Sequence, residues 1–139
     1  MRVVIDTNVL VSGLLWHGAP HALIEQAREG RFTIVSSSRL LDELAEVVGR
    51  RKFRSILLRS KADPQRMLRE LRRLTEVVEA PSLTLPVSRD SDDDAVLAVA
   101  TTAGADLIVS GDDDLLTLVS YNGIPIVDPA AALARLRGI

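Results

Sequence analysis

The sequence predicts an α/β fold in which a parallel sheet is covered by helices on both faces. Two observations carry this expectation. RVVI at 2–5, TIVS at 33–36, DLIVS at 106–110 and IPIV at 124–127 are short, branched, apolar runs of strand length. Between them lie longer stretches with helix signals, and a chain that alternates strand with helix builds parallel crossovers. The 139 residues, 47% of them hydrophobic, suit one domain over 1–139 with a core that needs no disulfide.

The first strand ends at Asp6. A helix is predicted across 19–30, with Pro20 in its first turn and Gly30 at its end. After the strand at 33–36, Ser36, Ser37 and Ser38 offer N-caps for a helix across 39–50. A short helix at 53–60 precedes a longer one from Pro64 to about 74, where Met67, Leu71, Leu74 and Val78 recur at helical spacing. EVV at 76–78 reads as a short edge strand, followed by a loop containing Pro81 and Pro86. A helix then runs to about 103. Beyond the strand at 106–110, Gly111 permits a tight turn into a short helix within DDDLLTLVS, and IPIV is the last strand. Asp128-Pro129 is a cap and first turn for the terminal helix.

Composition narrows the function classes. With no cysteine, thiolate metal sites and thiol catalysis are excluded. MRVVIDTN is no signal peptide, and no apolar run reaches the length of a membrane span, so the expectation is a cytoplasmic protein without a membrane partner. The net charge of −2 conceals an asymmetry: residues 50–73 hold ten of the 17 basic residues and two acids, a local +8 against −10 elsewhere. An acidic body with one basic arm suits a polyanion on the arm and cations on the body, although a solvated helix surface accounts for the charge equally well.

The acids are not equivalent. In open α/β sheets ligands bind beyond the carboxyl ends of the strands, and Asp6 and Asp112 each follow a strand. If those strands are neighbours, two carboxylates meet at one rim. On the helix at 39–50, Leu40, Leu44, Val47 and Val48 mark the apolar stripe, and Glu43 falls on it, whereas Asp42 and Glu46 share another face. A glutamate on a core-facing stripe is costly unless paired or bound to a cation. In SRDSDDDAVLAVA at 88–100, Asp90 reads as an N-cap, and of Asp92, Asp93 and Asp94 only Asp93 belongs to both apolar stripes that the helix can present.

Asp6, Glu43, Asp93 and Asp112 are therefore the candidate ligands. Gathered at one rim they repel, since two unit charges about 4 Å apart cost about 4 kcal/mol at an effective dielectric near 20. Divalent cations relieve that cost, and an all-oxygen set selects Mg²⁺ or Mn²⁺ over zinc. Such cations suit phosphodiester hydrolysis, and the arm beginning Arg50, Arg51, Lys52 and Arg54 then has a role in holding nucleic-acid phosphates.

Taken in order, Asp6-Thr7-Asn8 after a strand, Glu43 on a mid-chain helix, Asp93 seven residues before Ala100, and Ser110-Gly111-Asp112 after a late strand resemble the PIN domain family. The resemblance spans nearly the whole chain, including LLWHGAP and the final IPIVDP, and is greatest to the branch of toxin components of toxin–antitoxin pairs. It implies a three-layer α/β/α sandwich around a five-stranded parallel sheet and a Mg²⁺- or Mn²⁺-dependent ribonuclease leaving a 5′-phosphate and a 3′-hydroxyl. It further implies an RNA substrate, a cognate antitoxin and a homodimer. The family's acidic quartet carries over onto Asp6, Glu43, Asp93 and Asp112. Asn8 matches a polar residue that orients the first aspartate, Ser110 stands where the family often has threonine, and Asp90, Asp94 and Asp114 are candidate supporting acids. Ser91 departs from the proline frequent in this branch.

Two other classes compete. A phosphatase or Toprim-like phosphate-handling domain leaves acids idle or lacks its second aspartate, since Asn8 stands two after Asp6. A non-catalytic binding protein makes the acids mere surface charge. His17 and His21 are weak candidates for a general base, Trp16 for packing or a homodimer contact, and four aromatics are few for base stacking.

Overall fold

The computed structural model describes residues 1–83, 86–88 and 91–137. Asp90, read above as a cap and supporting acid, lies outside the described residues. In chain order the elements are β1 (Arg2–Ile5), α1 (Thr7–Leu15), α2 (Ala19–Arg28), β2 (Thr33–Ser36) and α3 (Ser38–Val48). One turn of 3-10 helix (Arg51–Phe53) leads into α4 (Arg54–Arg59), α5 (Pro64–Leu74) and β3 (Thr75–Val77). Then follow α6 (Ser91–Ala103), β4 (Leu107–Val109), α7 (Asp113–Leu116), β5 (Ser120–Tyr121), β6 (Ile124–Val127) and α8 (Pro129–Arg137).

The sheet order is β3-β2-β1-β4-β6-β5. Five strands are parallel, as the resemblance implies, and β5 adds a two-residue antiparallel edge paired with β6. The sequence reading has no strand there, yet the signal was present: Asn122-Gly123 joins β5 to β6 with both residues at positive φ, the backbone that a tight hairpin demands.

Alternate strand residues divide the core in two. Val3, Ile5, Ile34, Leu107 and Val109 face α1, α2, most of α3, and α8, while Val4, Val35, Ile108 and Ile126 face α6 and α7. Both faces are covered, so the central strands β1 and β4 are apolar almost throughout. Burying each leucine or isoleucine of such a core contributes about 1.5–3 kcal/mol; Leu23, Ile34, Leu97 and Ile108 are fully enclosed.

The helix α1 is also absent from the sequence reading. Its segment TNVLVSGLL is rich in β-branched residues and carries a glycine, so propensity disfavours helix. Burial of Val9, Leu10 and Val11 against the sheet overrides that preference, with Asp6 capping the first turn. Gly13 is there because α2 passes so closely: a Cβ would lie 2.6 Å from Ile24 Cδ1 and 2.8 Å from the Pro20 carbonyl oxygen. The Ile24 tip can rotate, whereas the backbone oxygen cannot yield. Gly13→Ala is therefore expected to destabilise the fold by about 1–3 kcal/mol. In urea denaturation the midpoint falls with the slope unchanged; an unchanged midpoint contradicts the packing argument.

Candidate active site

The two strands that the sequence could only suppose to be neighbours are neighbours. β1 pairs with β4 in parallel, Ile5 opposite Val109, so Asp6 and Ser110 leave the sheet side by side. The chain runs from β1 outward to β2 and β3 and then returns to the other side of β1 as β4. That reversal opens a crevice at the carboxyl ends of β1 and β4, where ligands bind in sheets of this kind.

Asp6 is almost wholly buried. Its Oδ1 accepts the Val9 amide at 2.9 Å, and its Oδ2 accepts the Ser110 hydroxyl. Ser110 is fully buried, and its Oγ accepts the Asp112 amide at 3.0 Å. One hydroxyl thus fixes both the first carboxylate and the start of the turn that carries the last. Asp112 in turn caps α7, its Oδ1 accepting the Asp114 amide at 2.8 Å. Burial pushes the Asp6 carboxyl above its ordinary value; the bonds from Ser110, Val9 and Gly111 oppose that rise, and the charge of Asp112 adds to it. Such a carboxylate is costly to hold ionised beside its neighbours without a cation.

The acids at the head of α6 separate into distinct roles. Asp93 is buried and faces the crevice, with Ser88 Oγ donating to its Oδ2 at 3.2 Å. Asp92 lies at the rim, where Arg39 approaches its carboxylate at 3.3 Å. Asp94 turns back to the preceding loop and accepts the Val87 and Ser88 amides, the latter at 2.8 Å. Glu43 extends from α3 into the same crevice as Asp93. Its helix neighbours Asp42 and Glu46 turn to arginines instead, Asp42 toward Arg72 at 3.7 Å and Glu46 onto Arg50 at 2.8 Å.

Together these residues form a cleft of about 200 Å³ whose polar lining includes Asp6, Asn8, Glu43, Asp92, Asp93 and Asp112, with Arg50 also in its wall. Carboxylate oxygens of Asp93, Asp112 and Asp114 lie within 4.8 Å of one another. The donors are all hard oxygens, gathered where mutual repulsion opposes them, and they fit Mg²⁺ or Mn²⁺. A PIN domain family model matches residues 2–114.

The chain belongs to the PIN domain family. PIN domains are generally nucleases that use divalent metals, and the acidic cleft is in keeping with that chemistry. The fold is also that of PAE2754 from Pyrobaculum aerophilum, with a TM-score of 0.63 at 16% identity over 100% of this chain and 97% of that one. VapBC2 from Rickettsia felis, bound to a DNA fragment from their promoter, gives 0.61 at 16% identity over 92% of this chain and 98% of that one. No curated protein matches the sequence.

Within the PIN domain the sequence candidates are distributed as follows. Asp6, Glu43, Asp93 and Asp112 line one cleft, and Asp114 joins Asp93 and Asp112 rather than standing apart. Asn8 is exposed in the cleft wall, while the bonds that orient Asp6 come from Ser110 and the Val9 amide. Of the basic candidates, Arg50 lines the cleft; Arg51, Lys52 and Arg54 are exposed on the 3-10 turn and α4 beyond it. His21 accounts for itself structurally, its Nδ1 lying 3.1 Å from the Gly13 carbonyl, and Trp16 packs edge-on to Phe53. Sequence reasoning missed Thr7, Ser88 and Arg39. Thr7 sits inside the DTN motif and was legible, but the other two reach α6 from other segments and leave no periodic trace. Among the described residues no helix is long and apolar enough to cross a membrane.

Proposed function

We propose that the chain, acting as one domain over 1–139, is a Mg²⁺- or Mn²⁺-dependent endoribonuclease of the cytoplasm that cuts single-stranded RNA. The observation that carries this reading is the convergence of Asp93, Asp112 and Asp114 within 4.8 Å, in a cleft shared with Asp6 and Glu43. Asp6, Glu43, Asp93 and Asp112 hold the cation, with Asp114 in support. When bound, the metal would supply Lewis acidity at a phosphoryl oxygen and lower the pKa of a water that it holds. The protein's own residues do the rest. Ser110 holds the Asp6 carboxylate in one orientation, and Ser88 does the same for Asp93. Asp94 ties down the loop before α6. Arg50, kept extended by Glu46, meets the phosphate backbone at the cleft end, and Arg51, Lys52 and Arg54 continue that contact along the strand.

The fold shared with VapBC2 supports the further reading that the protein is the toxin of a toxin–antitoxin pair, bound by a protein antitoxin and paired with a second copy of itself. The test is direct. Purified protein is expected to cleave single-stranded RNA in Mg²⁺ or Mn²⁺ and not in EDTA. Mn²⁺ at about 100 times its Kd is expected to stabilise the fold by about 2.7 kcal/mol in thermal denaturation. Absence of both cleavage and stabilisation would contradict the assignment.

A further inference from the structure

A second recess adjoins the acidic cleft and shares Asn8 and Asp112 with it. It is an open recess of about 300 Å³ between α1, the start of α2, the β4–α7 turn and the start of α8, with Val9, Ser12, Pro20, Gly111 and Pro129 completing its wall. Its chemistry differs from that of the cleft. Asp112 is its one charged lining group, and that charge repels phosphate. Asn8 and Ser12, one helical turn apart on α1, present neutral donors and acceptors. The two prolines form a rigid apolar side. The volume lies at the lower end of small-molecule pockets.

We propose that this recess is a nucleoside subsite, taking the sugar and base of the nucleotide next to the cleaved phosphodiester, with Asn8 and Ser12 as its hydrogen-bonding groups. The inference rests on the ribonuclease reading and gives the substrate a direction. Phosphates run past Arg50, which lines the acidic cleft, and the basic arm, and the uncharged nucleoside takes the recess, whose lining shares Asn8 and Asp112 with the cleft but not Arg50.

Gly111 provides a clean probe, because a Cβ there meets nothing within 4 Å and its φ is not in the left-handed range. Gly111→Leu adds bulk at the recess wall without a steric clash at its Cβ, and Gly111→Ala adds little. Binding of a fluorescein-labelled ten-nucleotide single-stranded RNA is measured by anisotropy in Ca²⁺, together with the Mn²⁺ thermal shift of each variant. The expected result is a loss of affinity of about tenfold or more for Gly111→Leu, the scale of one or two lost hydrogen bonds. A smaller loss is expected for Ser12→Ala and near wild-type binding for Gly111→Ala, with the Mn²⁺ shift retained throughout. Unchanged affinity in Gly111→Leu overturns the subsite. If the Mn²⁺ shift is lost in that variant, Ser12→Leu fills the recess from the other wall and decides in its place. Wild-type protein that binds the RNA but leaves it uncut in Mg²⁺ and Mn²⁺ overturns the ribonuclease reading, while the binding series still judges the recess. Wild-type protein that binds no RNA overturns both.

Discussion

Asp93→Asn is expected to reduce metal-dependent RNA cleavage by more than about 100-fold, while Asp92→Asn retains activity within a few-fold. The two residues are adjacent in sequence and both line the cleft, but they differ in burial and in partner. Asp93 is buried in the crevice within 4.8 Å of Asp112 and Asp114, whereas Asp92 faces Arg39 at the rim. Changing a residue that only orients a metal ligand costs about 10–100-fold in affinity or activity, so losing a carboxylate proposed to hold the metal itself should cost more. The asparagine is nearly isosteric and removes a buried charge from an acidic cluster. Without divalent metal the variant should therefore fold at least as stably as the parent, and the Mn²⁺-induced shift in Tm should shrink. Measured side by side, cleavage rate and Mn²⁺ shift separate a damaged site from a damaged fold. Equal activity in the two variants would remove Asp93 from the site.

Ser110→Ala is the second large effect, about 10–100-fold in activity. The hydroxyl donates to Asp6 Oδ2 and accepts from the Asp112 amide, so its loss releases the first carboxylate and leaves a buried donor and acceptor unmatched. Ser110 is fully buried, and destabilisation of about 1–3 kcal/mol should accompany the loss of activity. Ser110→Thr keeps the hydroxyl and should restore most of the rate if the extra methyl finds room between β1 and β6. A purely structural role predicts that activity recovers when the fold is restored by lower temperature. A positioning role predicts that it does not, and that the Mn²⁺ requirement moves to higher concentration.

Much of this architecture was legible in the sequence, and the exceptions have physical causes. The parallel strands were found because burial on both faces leaves them uniformly apolar. Helix α1 escaped because its residues disfavour helix intrinsically, and packing against the sheet reverses the preference. Asp93 could be separated from its neighbours by phase alone, since a helix with two buried stripes leaves one residue common to both. No phase argument reaches Ser88 or Arg39, whose contacts with α6 depend on where a loop and another helix arrive in space. The pairing of β1 with β4 was equally beyond local reading, and on it depends the meeting of Asp6 with Asp112.

The sheet terminates on strands of three and two residues, β3 on one side and β5 on the other. A long flat border of unpaired amides invites strand exchange between molecules and ultimately aggregation. Here the β3 border carries Glu76 held by Arg2, and the Asn-Gly hairpin lays β5 along the other border over only two cross-strand pairs. Neither side offers enough template for another chain to extend the sheet. Any association between copies is thereby left to side-chain surfaces, where partner choice can be encoded, and not to indiscriminate backbone pairing.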